Sequence, residues 1–301
     1  MRNITLGATY SVLCAVEHKT DAATGEHGDL IDVIRETCAL DHFRDVADEA
    51  RRFLDLPRPA PEDLINPRNS LPRELSPAKR LLSFCRPIGG TLAETYLRRR
   101  GITNFDGMGS LRFHPACFYR STAGAETQRG SALIGVVTDL DNTVTGVHRT
   151  WLDPDLVAPD HGKAPIESPK RSLGDIWTHA VRFGIVEDVM AAGEGIETIL
   201  SVCNALPALP MISALSASHL PAVVFPPLLR RLYIAADADP AGKRAASALA
   251  TRACEVGIEA IVLLPMRNDF NDDLIAMGVD GLRAALGPQL APGDLSRFMS
   301  L

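Results

Sequence analysis

Paired cysteines are missing from this sequence. Its six cysteines (Cys14, Cys38, Cys85, Cys117, Cys203 and Cys254) are scattered, and no CxxC occurs. A structural zinc site needs cysteine pairs at short spacing to close a tetrahedron, so no zinc is expected, and buried reduced thiols are. Long apolar runs are missing too, since none approaches the roughly 20 residues that span a bilayer. The opening Met1-Arg2-Asn3-Ile4-Thr5-Leu6 lacks the apolar core and cleavage site of a signal peptide. A cytoplasmic chain without a membrane partner is therefore expected. Positive charge is in deficit, with 31 Lys and Arg against 37 Asp and Glu, a net −6. That excludes a generic basic coat for nucleic acid. It leaves room for an enzyme whose acidic metal ligands lower the net charge.

What is present is ordinary for a globular protein: 46% hydrophobic and 23% charged residues over 301 positions. That length suffices for two domains. Residues 1–28 show little periodicity. Asp29 and Asp41 can each cap a short amphipathic helix, giving an N-terminal helical segment over 1–57. Pro57-Arg58-Pro59-Ala60-Pro61 opens a stiff linker, 58–75. Helices follow after Ser76-Pro77 and over 91–100, then short strands at Leu111–Phe113 and Cys117–Tyr119. A β-hairpin is expected over 132–138 and 143–152, with Asp139-Leu140-Asp141-Asn142 at its tip. The DxD there reads as turn chemistry. From Phe183 strand and helix alternate: strands 187–192, 209–213, 231–236 and 258–264, helices 195–205, 217–224, 240–256 and 271–277. Such alternation implies a parallel sheet with helices on its faces.

Three acidic clusters follow apolar runs in that stretch. They are Glu194-Gly195 after Val189-Met190-Ala191-Ala192-Gly193, Asp237-Ala238-Asp239 after Leu232-Tyr233-Ile234-Ala235-Ala236, and Asp269-Phe270-Asn271-Asp272-Asp273. In a parallel sheet the C-terminal strand ends share one edge, where ligands bind. Carboxylates gathered there repel one another unless a hard cation sits between them.

With about 40 and 30 residues between the clusters, the stretch resembles a Toprim domain, the metal-binding module shared by bacterial primases, topoisomerases and some nucleases. Glu194-Gly195 matches its first motif, Asp237-Ala238-Asp239 with Gly242 its second, and the Asp269–Asp273 cluster its third more loosely. Further upstream, Thr95-Tyr96-Leu97-Arg98-Arg99-Arg100-Gly101-Ile102 is similar to a helix of bacterial-type primases. The hairpin through Gly146 and Lys163-Ala164-Pro165-Ile166-Glu167-Ser168-Pro169 resemble the rest of that catalytic core. The resemblance covers about 75–288 and extends to Toprim proteins of phages, plasmids and integrated elements.

The resemblance implies an α/β chain: a C-terminal Toprim domain over 186–288, Rossmann-like, with a mainly parallel four-stranded sheet and flanking helices. A smaller α+β primase-like subdomain at 76–185 precedes it, and a tail at 289–301 follows. It implies Glu194, Asp237 and Asp239 as catalytic residues, and these with Asp269 and Asp272 as ligands of Mg²⁺ or Mn²⁺. Arg98, Arg99, Arg149, Lys163, Lys170, Arg171 and Lys243 would contact nucleic acid or nucleotide. The implied activity is primer synthesis on single-stranded DNA from nucleoside triphosphates. The alternatives are a metal-dependent Toprim nuclease and a non-catalytic nucleic-acid-binding replication module. The zinc ribbon that begins such primases has no counterpart here, and 1–57 reads as its remnant. No G-x-x-x-x-G-K-[ST] loop is present, which excludes a built-in P-loop helicase. A replicative helicase, or a zinc-bearing partner in trans, is the partner this implies.

Overall fold

The computed structural model describes residues 76–299 except 106–107, 122–125 and 156–161. Before residue 76 it describes four short strands and positions 38 and 49. Two compact units divide the chain, Met1–Arg73 and Glu74–Leu301. In the first, β1 (Ile4–Leu6) pairs antiparallel with β2 (Tyr10–Val12), and β3 (Lys19–Thr20) with β4 (His27–Gly28). These strands lie where the sequence offers no periodicity. They stand inside the 1–57 stretch expected to be helical, which corrects that expectation at those positions; of its remainder only Cys38 and Glu49, both helical, are described, and the linker lies outside the described residues.

The second unit is mixed α/β and is built on one nine-stranded sheet. Helix α1 (Pro77–Leu82) starts at Ser76, whose Oγ accepts from the Lys79 amide, with Pro77 in the first turn. Helix α2 (Leu92–Arg99) buries Ala93, Tyr96 and Leu97, positions at helical spacing on one face. It stops at Gly101, whose φ of 73° suits glycine. Strand β5 (Leu111–Tyr119) runs unbroken through the expected pair of strands, with a register shift between His114 and Cys117, around Pro115. Pro115 cannot donate to the ladder, so a bulge accommodates it.

The hairpin forms as expected, from β6 (Gln128–Thr138) and β7 (Val144–Trp151). At its tip Asp139 Oδ1 accepts from the Asp141 and Thr143 amides. This carboxylate makes a turn. Strand β8 (Lys170–Gly174) pairs with β7. Strand β9 (Ala180–Phe183) is antiparallel to both β6 and the later β11.

The α/β part follows: β10 (Val189–Gly193), α3 (Ile196–Ala205), β11 (Met211–Ser213), β12 (Arg231–Ala235), α4 (Pro240–Glu255), β13 (Glu259–Leu263), α5 (Phe270–Leu286) and α6 (Pro292–Phe298). β13, β12, β10 and β11 lie parallel in that order, the expected four-stranded sheet. Two expected elements differ. Only a short 3₁₀ turn at Leu220–Ala222 forms where a helix over 217–224 is expected, because Pro221 and Pro226 restrict the backbone there. The closing helix runs past the expected 277 to Leu286 through a kink at Gly278, φ 71°.

Every residue of α3 is buried. It packs between the sheet and α5 in a core that includes Tyr96, Leu97, Ile199, Leu200, Phe270 and Leu274. Each such side chain contributes about 1.5–3 kcal/mol by leaving water. A second core lies on the other side of the parallel strands, with Leu232, Ile234, Leu249 and Ile212. A third, with Trp151, Tyr119, Cys117 and Ile134, underlies α1. The strands carrying Glu194 and the Asp237–Asp239 pair are thereby clamped from both faces.

Candidate functional site

Each acidic cluster sits where a parallel strand hands over to a helix. Glu194 follows β10 by one residue and is half-buried. Its backbone carbonyl accepts from Ser213 Oγ (2.8 Å) and from the Leu215 amide (2.7 Å). Leu215 holds a φ of 77°, a conformation a branched side chain adopts only when its surroundings enforce it. The loop after β11 thus bends to fix the glutamate.

Asp237 and Asp239 follow β12. Asp239 caps α4, its Oδ1 accepting from the Gly242 amide at 2.7 Å. Thr198 Oγ1 donates to Asp237 Oδ1 at 3.4 Å. Gly242 is required by closeness, since a Cβ there would stand 2.8 Å from the Asp237 carbonyl oxygen. The third cluster is tied to the second by the Ala238 amide, which donates to the Asn268 carbonyl at 2.8 Å. Asp269 caps α5, accepting from the Asp272 amide at 2.7 Å, and Asp272 accepts from Asn268 Nδ2 at 2.9 Å. Asp273 is turned inward, where it accepts from the Met266 amide at 2.7 Å.

The electrostatics show the crowding. Burial raises the Asp237 carboxyl to about 7, with the Glu194 and Asp269 charges adding to the rise. Burial, then the Asp239 charge, raises Glu194 as well. Among the described residues no three His, Cys, Asp or Glu side chains already close into a metal-ligand set. Carboxylates that crowd Asp237 and Glu194 in this way without closing on a point fit a hard cation that keeps several waters. Glu194, Asp237, Asp239 and Asp269 are the residues that could hold it, with Asp272 one helical turn away.

A cationic shell faces them. Glu197 is buried, and Lys170 Nζ pairs with its Oε2 at 2.9 Å while Tyr96 donates its hydroxyl to Oε1 at 2.7 Å. Burial works against that charge, but Lys170, then Arg100 and Lys163, more than offset it and hold the Glu197 carboxyl far below the usual carboxylate range. Lys170 also lowers Glu194. Arg100, at the end of α2, donates to Asn271 Oδ1 at 2.8 Å, and Asn271 donates to the Arg100 carbonyl and to Ser201 Oγ. Tyr96, Arg100, Thr198, Ser201 and Asn271 thus join the site; the helix motif contained Tyr96 and Arg100 and the third acidic cluster contained Asn271, but neither assigned them a role.

The remaining basic residues are dispersed. Arg98 pairs with Glu94 at 2.7 Å and lies over Phe105. Arg99 and Lys243 are exposed. Lys170 and Arg171 are neighbours in a strand, so they point to opposite faces. Arg171 is the cross-strand partner of Arg149, and both sit on the face away from Lys170.

Residues 189–280 match the Toprim domain family, and residues 72–183 match a domain family of unknown function, DUF7146. No curated protein sequence matches the chain. Among solved structures the chain is similar to the Aquifex aeolicus primase (zinc-binding and RNA polymerase domains), with 14% identity and a TM-score of 0.46 over 96% of this chain and 81% of that one. The primase fragment of the bacteriophage T7 primase-helicase gives 9% and 0.44 over 93% of each chain. The RNA polymerase domain of the Mycobacterium tuberculosis primase gives 15% and 0.43 over 64% and 74%. The stretch from Val189 to Asp280, with its three carboxylate-bearing strand ends, is a Toprim domain, carried in one chain behind a stretch that matches the DUF7146 family.

Proposed function

We propose that the chain is a metal-dependent, primase-like nucleotidyltransferase that joins nucleotides on a single-stranded DNA template. The observation that carries this reading is the meeting of half-buried, mutually repelling Toprim carboxylates with a lysine from the preceding domain. A divalent ion bound there, Mg²⁺ or Mn²⁺, would acidify the attacking 3′-hydroxyl and neutralise charge on the triphosphate. Glu194, Asp237 and Asp239 would hold it, with Asp269 or Asp272 completing the set. In this reading Glu194, its affinity for protons raised by burial and Asp239, would take the hydroxyl proton. Lys170, anchored by Glu197, offers its charge to the leaving phosphates, as does Lys163 behind it. Lys243, in the first turn of α4, adds its charge to that helix's N-terminus.

The test is a priming assay with purified chain, Mg²⁺ or Mn²⁺, nucleoside triphosphates and single-stranded DNA. Short oligonucleotides are expected with wild type and none with Asp237→Asn. Absence of product on every template with either metal overturns the reading. Metal-dependent nicking of the template, lost in Glu194→Gln, would replace it with a nuclease.

A further inference from the structure

We infer a second nucleic-acid contact on the sheet face opposite the carboxylates. Arg120, Arg149 and Arg171 hold phosphates of a single strand whose bases lie against Phe84 and His114. This inference rests on the template reading above and extends it to a separate surface.

The sheet register makes the separation. His148, Thr150, Lys170 and Ser172 share the face of the acidic site, while Arg149 and Arg171 oppose each other on the other face. The guanidinium of Arg171 lies 4.7 Å from the centre of the Tyr119 ring, and that of Arg149 4.9 Å from Trp151. Arg171 is held by the Arg120 and Ser121 carbonyls at 2.6 and 3.1 Å. Arg149 is held by the Ser172 carbonyl at 3.1 Å. Arg120 donates to Thr127 Oγ1 from two nitrogens. These arginines, with Tyr119 and Trp151, line an open cleft of about 480 Å³.

All those acceptors are neutral. Among the described residues no carboxylate pairs with Arg120, Arg149 or Arg171. In a chain with more acids than bases, three guanidiniums therefore gather without a counter-charge. Arg149 bears a cost: burial lowers its pKa, the neighbouring Cys117 thiol offsets part of that, and the Arg171 charge adds a smaller lowering. An anion between them relieves that repulsion, and a planar fork fits phosphate oxygens in pairs.

The neighbouring cleft selects the anion's carrier. It shares Arg149 and Phe118 with the first, measures about 340 Å³, and is lined by Arg80, Phe84 and His114 among others. Phe84 is 67% exposed, and its ring meets His114 at 6.3 Å. A free aromatic face beside a line of arginines is how unpaired bases and their backbone are held together. A duplex hides its base faces and could use only the arginines.

Binding of a fluorescent 20-nucleotide oligo(dT) to the full chain, without divalent metal and across a salt series, tests this. The Arg149→Ala/Arg171→Ala chain is expected to bind at least tenfold more weakly. Its salt slope should be shallower by about 1.4, at roughly 0.7 for each single-strand phosphate that an arginine no longer neutralises. The Lys/Lys version of the same pair should keep the slope, and Phe84→Ala, at an exposed position, should weaken binding without changing it. Affinity within twofold of wild type in the Ala/Ala chain and in Phe84→Ala overturns the proposal. So does weakened binding of a nucleoside triphosphate with oligo(dT) unaffected. A wild type that binds oligo(dT) through these arginines yet makes no primer leaves this surface standing and removes the proposed activity. Primer synthesis by a chain whose binding ignores both substitutions does the reverse.

Discussion

Asp237 stands in a conflict that its sequence alone announces: two carboxylates with one residue between them, after the run Leu232-Tyr233-Ile234-Ala235-Ala236, which carries no charge. With its carboxyl raised to about 7 against about 3.9 in an unfolded chain, the folded state keeps a proton that the unfolded state has released. Metal-free stability must therefore fall as pH rises from about 4 to about 7. Asp237→Asn removes that loss, so in EDTA at pH 8 the variant is expected to unfold at a higher temperature than wild type. The gain is about 1–3 kcal/mol, discounted for the residue's partial access to water. Mg²⁺ should reverse the ranking by stabilising wild type alone, and thermal unfolding with and without EDTA reads both. Glu197 behaves oppositely. Its carboxyl is held low by Lys170, Arg100 and Lys163, so its contribution is present at neutral pH and is lost as pH falls below about 4. Glu197→Gln leaves Lys170, 35% exposed, without its counter-charge. A loss of roughly 1–3 kcal/mol is expected by urea unfolding, less than for a fully buried pair. The acidic residues were legible because their spacing is local. The Arg100–Asn271 bond was not, since 171 positions separate its partners and no local pattern encodes which side chains a fold brings together.

At the scale of elements, legibility followed burial. β10 and β12 read clearly because both faces are covered and their apolar runs are continuous. The 217–224 segment misled because its apolar residues pack under the sheet without needing helical spacing, and prolines cut it to a single turn. The end of α5 misled for the reverse reason: Gly278 reads as a stop, yet the helix resumes beyond it to bury Leu282 and Leu286. The junction of β12 and α4 is the tightest element boundary at the site. A methyl group at Gly242 would press on Asp237, its Cβ 2.9 Å from that of the aspartate. Gly242→Ala is therefore expected to cost about 1–3 kcal/mol by overpacking. It should weaken Mg²⁺ binding by displacing the Asp237–Asp239 turn, while Gly293→Ala, which meets nothing nearby, leaves metal binding as in wild type. Calorimetric titration of both chains distinguishes a local displacement from a general loss of fold.

On the scale of the whole unit, the sequence suggested a seam near residue 185, where helix–strand alternation begins. The sheet runs across it. β9 pairs with β6 on one side and β11 on the other, and Val181 alone is partnered by Val137 and by Ser213. Periodicity could not reveal this, because a four-residue strand between two domains looks the same whether it ends one sheet or joins two. Chains cut after Ile185 are therefore expected to give two halves that each expose an unpaired strand edge and fail to fold separately. Residues 74–301 should unfold in one transition, with fluorescence and circular dichroism superimposing. The position of Val181 carries one more consequence. Fully buried and paired along both edges, its backbone can reach solvent only when the two halves of the sheet part. Its amide hydrogen should be among the slowest in the chain to exchange with deuterium, and the free energy of that exchange should equal that of opening the whole unit.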